Sequence, residues 1–250
     1  MALTKHLPYS TASTAKGVKL SGLPRGSLTR ELLVRESLRL LDKDGVPGFS
    51  LPKLGRALGA DPTAIYRHFA SKDDLVLAIA EAMIEKGLDG IEPAECWMET
   101  LRDIARRARL NCLAHPAAAS LVTYRTTQGP AEMRAVDMIL GALHQAGFTG
   151  KEAALVYRAF GDFALYWSGG EASCLALDEK AQQKDRDAWT RAYLVADRAV
   201  FPDIWRVREE LPVIKDDEIF ETILSLVLDG IAARAPRPCA CPAHAAASVN

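Results

Sequence analysis

SLPKLGRALGADPTAIYRHFASK, Ser50 to Lys72, carries the strongest structural pattern in the chain. Leu51, Leu54 and Leu58 recur at helical spacing, Gly59-Ala60-Asp61 interrupts them, and a second short run carries Ile65 and Phe69 on one side. That pattern predicts a helix, a tight turn and a second helix. Asp61 is a good N-cap, and Pro62 suits a first-turn position, where its missing N–H removes nothing. The second helix, read as Pro62 to Phe69, offers Thr63, Ala64, Tyr66, Arg67 and His68 on its outer side. A helix-turn-helix inserts such a face into the major groove, where Arg pairs bidentately with guanine and a methyl meets thymine. The same spacing also fits a plain helical hairpin in an all-α protein, so the flanks must decide.

Upstream, Leu28 to Asp44 reads as one amphipathic helix with Leu33, Ser37, Leu40 and Leu41 inside, ended by Gly45 at a natural C′ position. Downstream, Ser71-Lys72-Asp73-Asp74 opens a fourth helix, Lys72 to about Glu85, in the manner of a capping box. Arg30 to Met83, including LLDKDGVPGFSLPKLGRALGADPTAIYRHFASKDDL, resembles the N-terminal DNA-binding domain of the TetR family of bacterial repressors. The resemblance covers about a quarter of the chain, and the LG–turn–IYRHFASKDDL segment is its most specific part.

What the resemblance implies is concrete. Thr63, Ala64, Tyr66 and Arg67 fall where the family's recognition helix meets bases and phosphates, with Arg67 the base discriminator. Tyr66 and His68 fall to the DNA backbone, Lys72 matches a phosphate-binding lysine, and Ser50 and Lys53 stand within phosphate reach. Pro52 occupies a place where many relatives carry a polar base reader, which shifts specificity towards Arg67.

The chain has 250 residues, 49% hydrophobic and 25% charged, enough for a sizeable buried core. Its formal net charge of −1 hides an asymmetry: residues 1–75 sum to +5 and residues 76–250 to −6. A basic module on an acidic body suits nucleic acid at one end. No run is long and apolar enough for a bilayer and no secretory layout opens the chain, so the expected location is the cytoplasm. The five cysteines are scattered and odd in number, unlike a disulfide framework.

The expected organisation is a basic arm over 1–27, a helix-turn-helix domain over 28–75 linked through helix 72–86, a helical body over 76–234 and a loose tail over 235–250. Lys5, Lys16, Lys19 and Arg25 in the arm either follow DNA into the minor groove or raise local positive charge. Past a Gly87–Pro93 linker the pattern is helical throughout, which makes the chain all-α. Thr149 and Glu152 read as a capping box for a helix to about Ser168, followed by a mobile loop from Gly169 to Lys184 that breaks at Gly169-Gly170. The helices near 150–168 and 216–233 are apolar on more than one face. They are either central helices of a monomeric core or, as the resemblance implies, the four-helix interface of a homodimer.

Trp97, Tyr124, Met133, Met138, Phe160, Phe163 and Trp167 are the candidate lining of an apolar effector pocket, or else ordinary core. Cys239, Cys241 and His244 lack the second ligand pair of a structural zinc site. There is no GxSxG, Walker A, dinucleotide or HExxH motif, so no catalytic residue, cofactor or metal ligand is assigned. The expected function is an operator-binding homodimeric regulator, most often a repressor, released by a small hydrophobic effector. An architectural DNA-binding protein without effector, and a helical carrier or enzyme that never meets DNA, are the rivals.

Overall fold

The computed structural model describes residues 28–237; the expected arm over 1–27 and the Cys239, Cys241 and His244 cluster lie outside the described residues. Those residues are helical with no strand. The elements are α1 (Arg30–Gly48), α2 (Leu51–Leu58), α3 (Pro62–Ile65), α4 (Lys72–Leu88), α5 (Trp97–Ala114), α6 (Pro116–Val122), α7 (Pro130–Gln145), α8 (Gly150–Leu175), α9 (Glu179–Leu194), α10 (Pro202–Arg206) and α11 (Asp216–Ala232), with a 3-10 turn at Leu211–Val213.

The first four helices start where their capping residues dictate. Thr29, Ser50, Asp61 and Ser71 accept the backbone N–H groups of Leu32, Lys53, Thr63 and Asp74, each satisfying a donor that the helix itself leaves orphaned. Helix α1 kinks at Gly45, so its last three residues follow a break at the residue expected to stop it. Helix α2 ends in a Schellman motif: Ala60 N–H donates to Gly55 O at 2.9 Å and Gly59 N–H to Arg56 O at 3.2 Å, with Gly59 left-handed at φ 61°. Gly55 lets α2 approach the turn, since a Cβ there would lie 2.8 Å from the Ala60 carbonyl oxygen. Leu54, Leu58, Ile65 and Phe69 close this unit's core.

That core does not end with the helix-turn-helix. It continues through Leu75, Val76, Ile79, Ala80 and Met83 of α4 and takes in Ala117, Ala118, Ala119 and Val122 of α6. A second core joins α5, α7, α8 and α11 around Trp97, Leu101, Leu143, Phe148, Phe160, Phe220 and Leu224. Across it, Arg109 of α5, only 6% exposed, forks onto Glu171 of α8 at 2.6 Å and reaches Asp217 of α11 at 2.7 Å, so three helices share one guanidinium.

Four local expectations change. The loop expected over Gly169–Lys184 is largely helix: α8 runs unbroken to Leu175 and α9 begins at Glu179. Gly169 is a contact point, because a Cβ there would lie 2.7 Å from Thr123 Cγ2; the glycine lets α6 and α8 touch, which offsets its usual cost of about 1 kcal/mol in a helix. Thr149 makes no side-chain cap for α8, and Glu152 turns instead to Arg234 at 3.3 Å. Helix α3 is a single turn, continued by looser turns through Phe69. Finally, the expected tail begins with three placed residues, Arg237 N–H donating to Ala146 O at 2.9 Å.

Candidate nucleic-acid interface and ligand cavity

Asp61 organises the start of the presented surface. Its Oδ1 accepts the Thr63 hydroxyl at 2.6 Å and the Thr63 N–H at 2.8 Å, and these two donors hold its carboxyl below the usual carboxylate range. Thr63 is therefore fixed in rotamer as well as position. Thr63, Tyr66 and Arg67 are exposed, while Ala64 and His68 are half-buried at the margins of the same turn. Among the described residues, no hydrogen bond or ion pair engages the Arg67 guanidinium, so nothing competes for its five donors.

Other expected contact residues are partly occupied. The Ser50 hydroxyl caps α2 through the Lys53 N–H at 3.3 Å. The Lys53 ammonium sits 3.2 Å from Asp44, and Lys72 donates to the Phe49 carbonyl at 3.4 Å with its ammonium 5.3 Å from the Phe49 ring. Arg30, not among the expected residues, donates to the His68 carbonyl and stacks 4.2 Å over the Phe69 ring. It pins the far end of the recognition turn to α1 across 38 positions of sequence, a contact that no local spacing signals. Arg56 in the last turn of α2 is a further exposed cation on the helix-turn-helix.

The body holds a cavity of about 180 Å³ between α4, α5, α7 and α8, closed at one end by the segment after α6. Met83, Ile84 and Leu88 of α4 face Ile104 and Ala108 of α5, Val136 and Ile139 of α7 and Phe160 and Ala164 of α8. Polar groups are few: Asn111, Thr123, Arg125, Glu132 and Tyr157. Burial pushes the Cys112 thiol on this wall up to about 11 and raises the Tyr157 phenol as well. A larger groove of about 660 Å³ runs between α1 and α4, but it is open and crowded with Arg30, Glu31, Arg35, Asp74, Glu81 and Glu85. Apolar enclosure favours the smaller cavity as a small-molecule site.

Of the seven expected pocket residues, only Phe160 lines that cavity. Trp97 lies in the second core, and Met138, Phe163 and Trp167 pack against it, Phe163 stacking on Phe220 at 6.2 Å. Met133 is 63% exposed, and Tyr124 stacks on Tyr166 at the surface at 5.1 Å. Aromatic periodicity marked the packed core and part of the surface, while the cavity is walled by small and aliphatic residues such as Ala108, Ala135, Gly161 and Ala164. Among the described residues, two indole N–H groups, Trp97 Nε1 and Trp167 Nε1, are buried with no hydrogen-bond partner, and neither residue lines the cavity.

Helix α4 belongs to both regions. Its first turn is capped by Ser71 beside the recognition turn, and Ala80, Met83, Ile84 and Gly87 line the cavity. Around it, Arg125 grips Asp73 with two bonds of 2.7 and 2.8 Å, Thr127 donates to Glu81 at 2.6 Å, and Asn111 donates to the Met83 carbonyl at 2.7 Å.

A capped helix-turn-helix continuous through one helix with a cavity-bearing helical body defines a two-domain DNA-binding regulator. The comparisons give the particular family. A family model described as bacterial regulatory proteins, tetR family, matches residues 33–79, and one described as tetracyclin repressor-like, C-terminal domain, matches residues 90–235. The chain belongs to the TetR family of bacterial transcriptional regulators.

It is 29% identical over 204 residues to the class A tetracycline repressor from transposon 1721 of Escherichia coli, covering 81% of this chain and 89% of that one. It shares its fold with ActR of Streptomyces coelicolor, solved in complex with actinorhodin, at a TM-score of 0.72 and 21% identity, covering 84% and 98% of the two chains. BioQ of Mycobacterium smegmatis, solved with its double-stranded DNA operator, aligns at a TM-score of 0.59 and 22% identity over 83% and 99%. Among the described residues no helix is long and apolar enough to cross a membrane.

Proposed function

We propose that the chain is a homodimeric, effector-released repressor that places α3 and the turn after it in the major groove of a near-palindromic operator. Arg67 reads bases, Tyr66, Thr63 and Ala64 complete the contact, and Ser50, Lys53, His68 and Lys72 hold phosphates. The two copies address half-sites about one helical turn of DNA apart. The paired helices are α8 and α11, which leave Leu155, Tyr166 and Leu226 more than half exposed on their outer faces. Covering such side chains removes apolar area from water, the main driving force of subunit association. In this reading the DNA-binding domain ends near residue 75, the ligand-binding body follows, and the protein works in the cytoplasm as a regulator rather than an enzyme.

The observation that carries the proposal is the double membership of α4, part of the helix-turn-helix core at Leu75 and Ile79 and wall of the cavity at Met83 and Ile84. At about 180 Å³ the cavity is smaller than the roughly 300–1,000 Å³ of typical ligand sites, so an effector must push its walls apart. Displacing α4 respaces the recognition turns, and by linkage DNA and effector each weaken the other's binding. The known partners of ActR and BioQ named above, a small molecule and an operator, support both halves of the reading.

Selection of bound sequences from random DNA with the purified protein tests it. A palindromic motif with matching half-sites is the expected result; no enriched motif, or an asymmetric one, overturns it.

A further inference from the structure

The effector's chemistry is written in one residue of the cavity wall. Among the described residues lining it, Arg125 is the only cation and Glu132 the only acid. Glu132 is already committed: its Oε2 accepts the Thr127 N–H at 2.6 Å and the Gln128 N–H at 2.8 Å, holding Gln128 at φ 57°. Arg125, by contrast, spends its guanidinium outward. Its fork closes on both carboxylate oxygens of Asp73, the second residue of α4, next to Lys72. Both partners of that bridge touch solvent, at 35% and 61% side-chain exposure. An exposed pair is weakly held, and a competing carboxylate of the same planar geometry exchanges for it at little cost.

We propose that the effector is a small apolar acid whose anionic group takes the Arg125 fork from Asp73, and that this exchange is the step that frees the first turn of α4 from the segment after α6. The inference rests on the cavity reading above and adds the ligand's charge and the bond it displaces. With Asp73 in place, the segment after α6 is tied to the first turn of α4, the helix that follows the recognition turn. Once a ligand anion holds Arg125, Asp73 returns to water and that tie is gone. A neutral ligand of the same shape fills the cavity but leaves the bridge closed, and a cation meets the wrong sign at Arg125. Asp73 sits below the usual carboxylate range because Arg125 donates to it, so the fork and the carboxylate hold each other until another anion competes.

The test uses the full chain, titrated calorimetrically with naphthoate and its neutral isostere naphthamide, alone and with DNA selected from a random pool. Naphthoate is expected to bind about tenfold more tightly than naphthamide, as a charge-assisted pair in place of a neutral one requires. In Asp73→Asn, which removes the competitor, naphthoate should bind about threefold more tightly still, with naphthamide unmoved. Arg125→Met should erase the preference for the acid. In the wild type naphthoate should weaken DNA binding more than naphthamide at equal occupancy, and Asp73→Asn should lose that difference.

Equal affinity for acid and amide, no binding of either, or a preference that survives Arg125→Met overturns the proposal. So does naphthoate affinity that fails to rise in Asp73→Asn. Failure of the cavity reading has a separate signature, read from Gly161→Leu. A Cβ at Gly161 meets only Tyr157 Cε2, at 3.9 Å, so a side chain can start there, and leucine is expected to take up part of the cavity. If both probes bind Gly161→Leu as they bind the wild type, they sit elsewhere, and the cavity assignment falls together with this inference.

Discussion

From α1 to α4 each helix is started by the residue immediately before it: Thr29, Ser50, Asp61 and Ser71 all accept a backbone N–H two or three residues on. From α5 to α8 none is; Cys96, His115, Gly129 and Thr149 make no side-chain cap. There the ends are held by groups far along the chain. Ala131 N–H at the head of α7 goes to Glu81 of α4, the Gln145 amide at its tail donates to the Glu95 carbonyl at 2.7 Å, and Arg109 ties α5 to α8 and α11. The DNA-binding end is thus started by short-range instructions and the middle of the body, α5 to α8, by long-range ones, local caps returning only at α9 with Asp178 and at α11 with Glu218. A rigid reading head needs a fixed outline, whereas a body that must yield to a ligand gains from contacts that break and re-form in sets.

Substitutions in the reading head should weigh most. Leu54 is fully buried where α2 meets the turn, and Leu54→Ala should cost about 2–5 kcal/mol in urea denaturation and abolish DNA binding. A mild effect would mean that the local unit draws its stability from elsewhere. In the body, Glu171→Gln strips the buried Arg109 of its main charge partner and should cost about 3 kcal/mol by the same measurement while leaving the helix-turn-helix intact. A negligible change would show that Asp217 alone satisfies the guanidinium.

Arg67→Ala sharpens the contrast, because it separates reading from folding. It should lower affinity for the selected DNA by about 1–3 kcal/mol with an unchanged melting temperature, since Arg67 is exposed and unpaired. The smallest effect concerns the thiols. Buried Cys112, raised to about 11, stays protonated at neutral pH, so iodoacetamide should modify exposed Cys174 well before it in peptide mapping. The sign of its pH effect follows. The folded state disfavours the Cys112 thiolate, so this contribution is complete below the ordinary value of 9.0 and is lost as pH rises towards 11.

Legibility followed the same division. The four N-terminal helices, the Gly45 break and the exposed Thr63, Tyr66 and Arg67 all follow from residues within four positions of one another. The occupied state of Lys53 and Lys72 and the bracing by Arg30 do not, because Asp44, Phe49 and His68 reach them only after the chain has folded back. In the body, helical periodicity found the elements but misjudged Gly169-Gly170, where the same composition serves a loop or a close helix crossing. The cavity lay furthest from view: its lining is drawn from five helices and is marked by small side chains, which carry no spacing signal of their own.

An all-helical chain with a basic, tightly capped reading head can be read from local residues alone, because hydrophobic period, cap residues and turn glycines act over a few positions. Long-range packing is what makes Arg125 line a cavity while gripping Asp73, gives α4 its place in both regions, and leaves six of the seven expected pocket residues outside the cavity lining. Those facts depend on which helical faces meet across 50 or more positions, as between Arg125 and Asp73 at 52, and packing settles that through shape and burial rather than through any local preference.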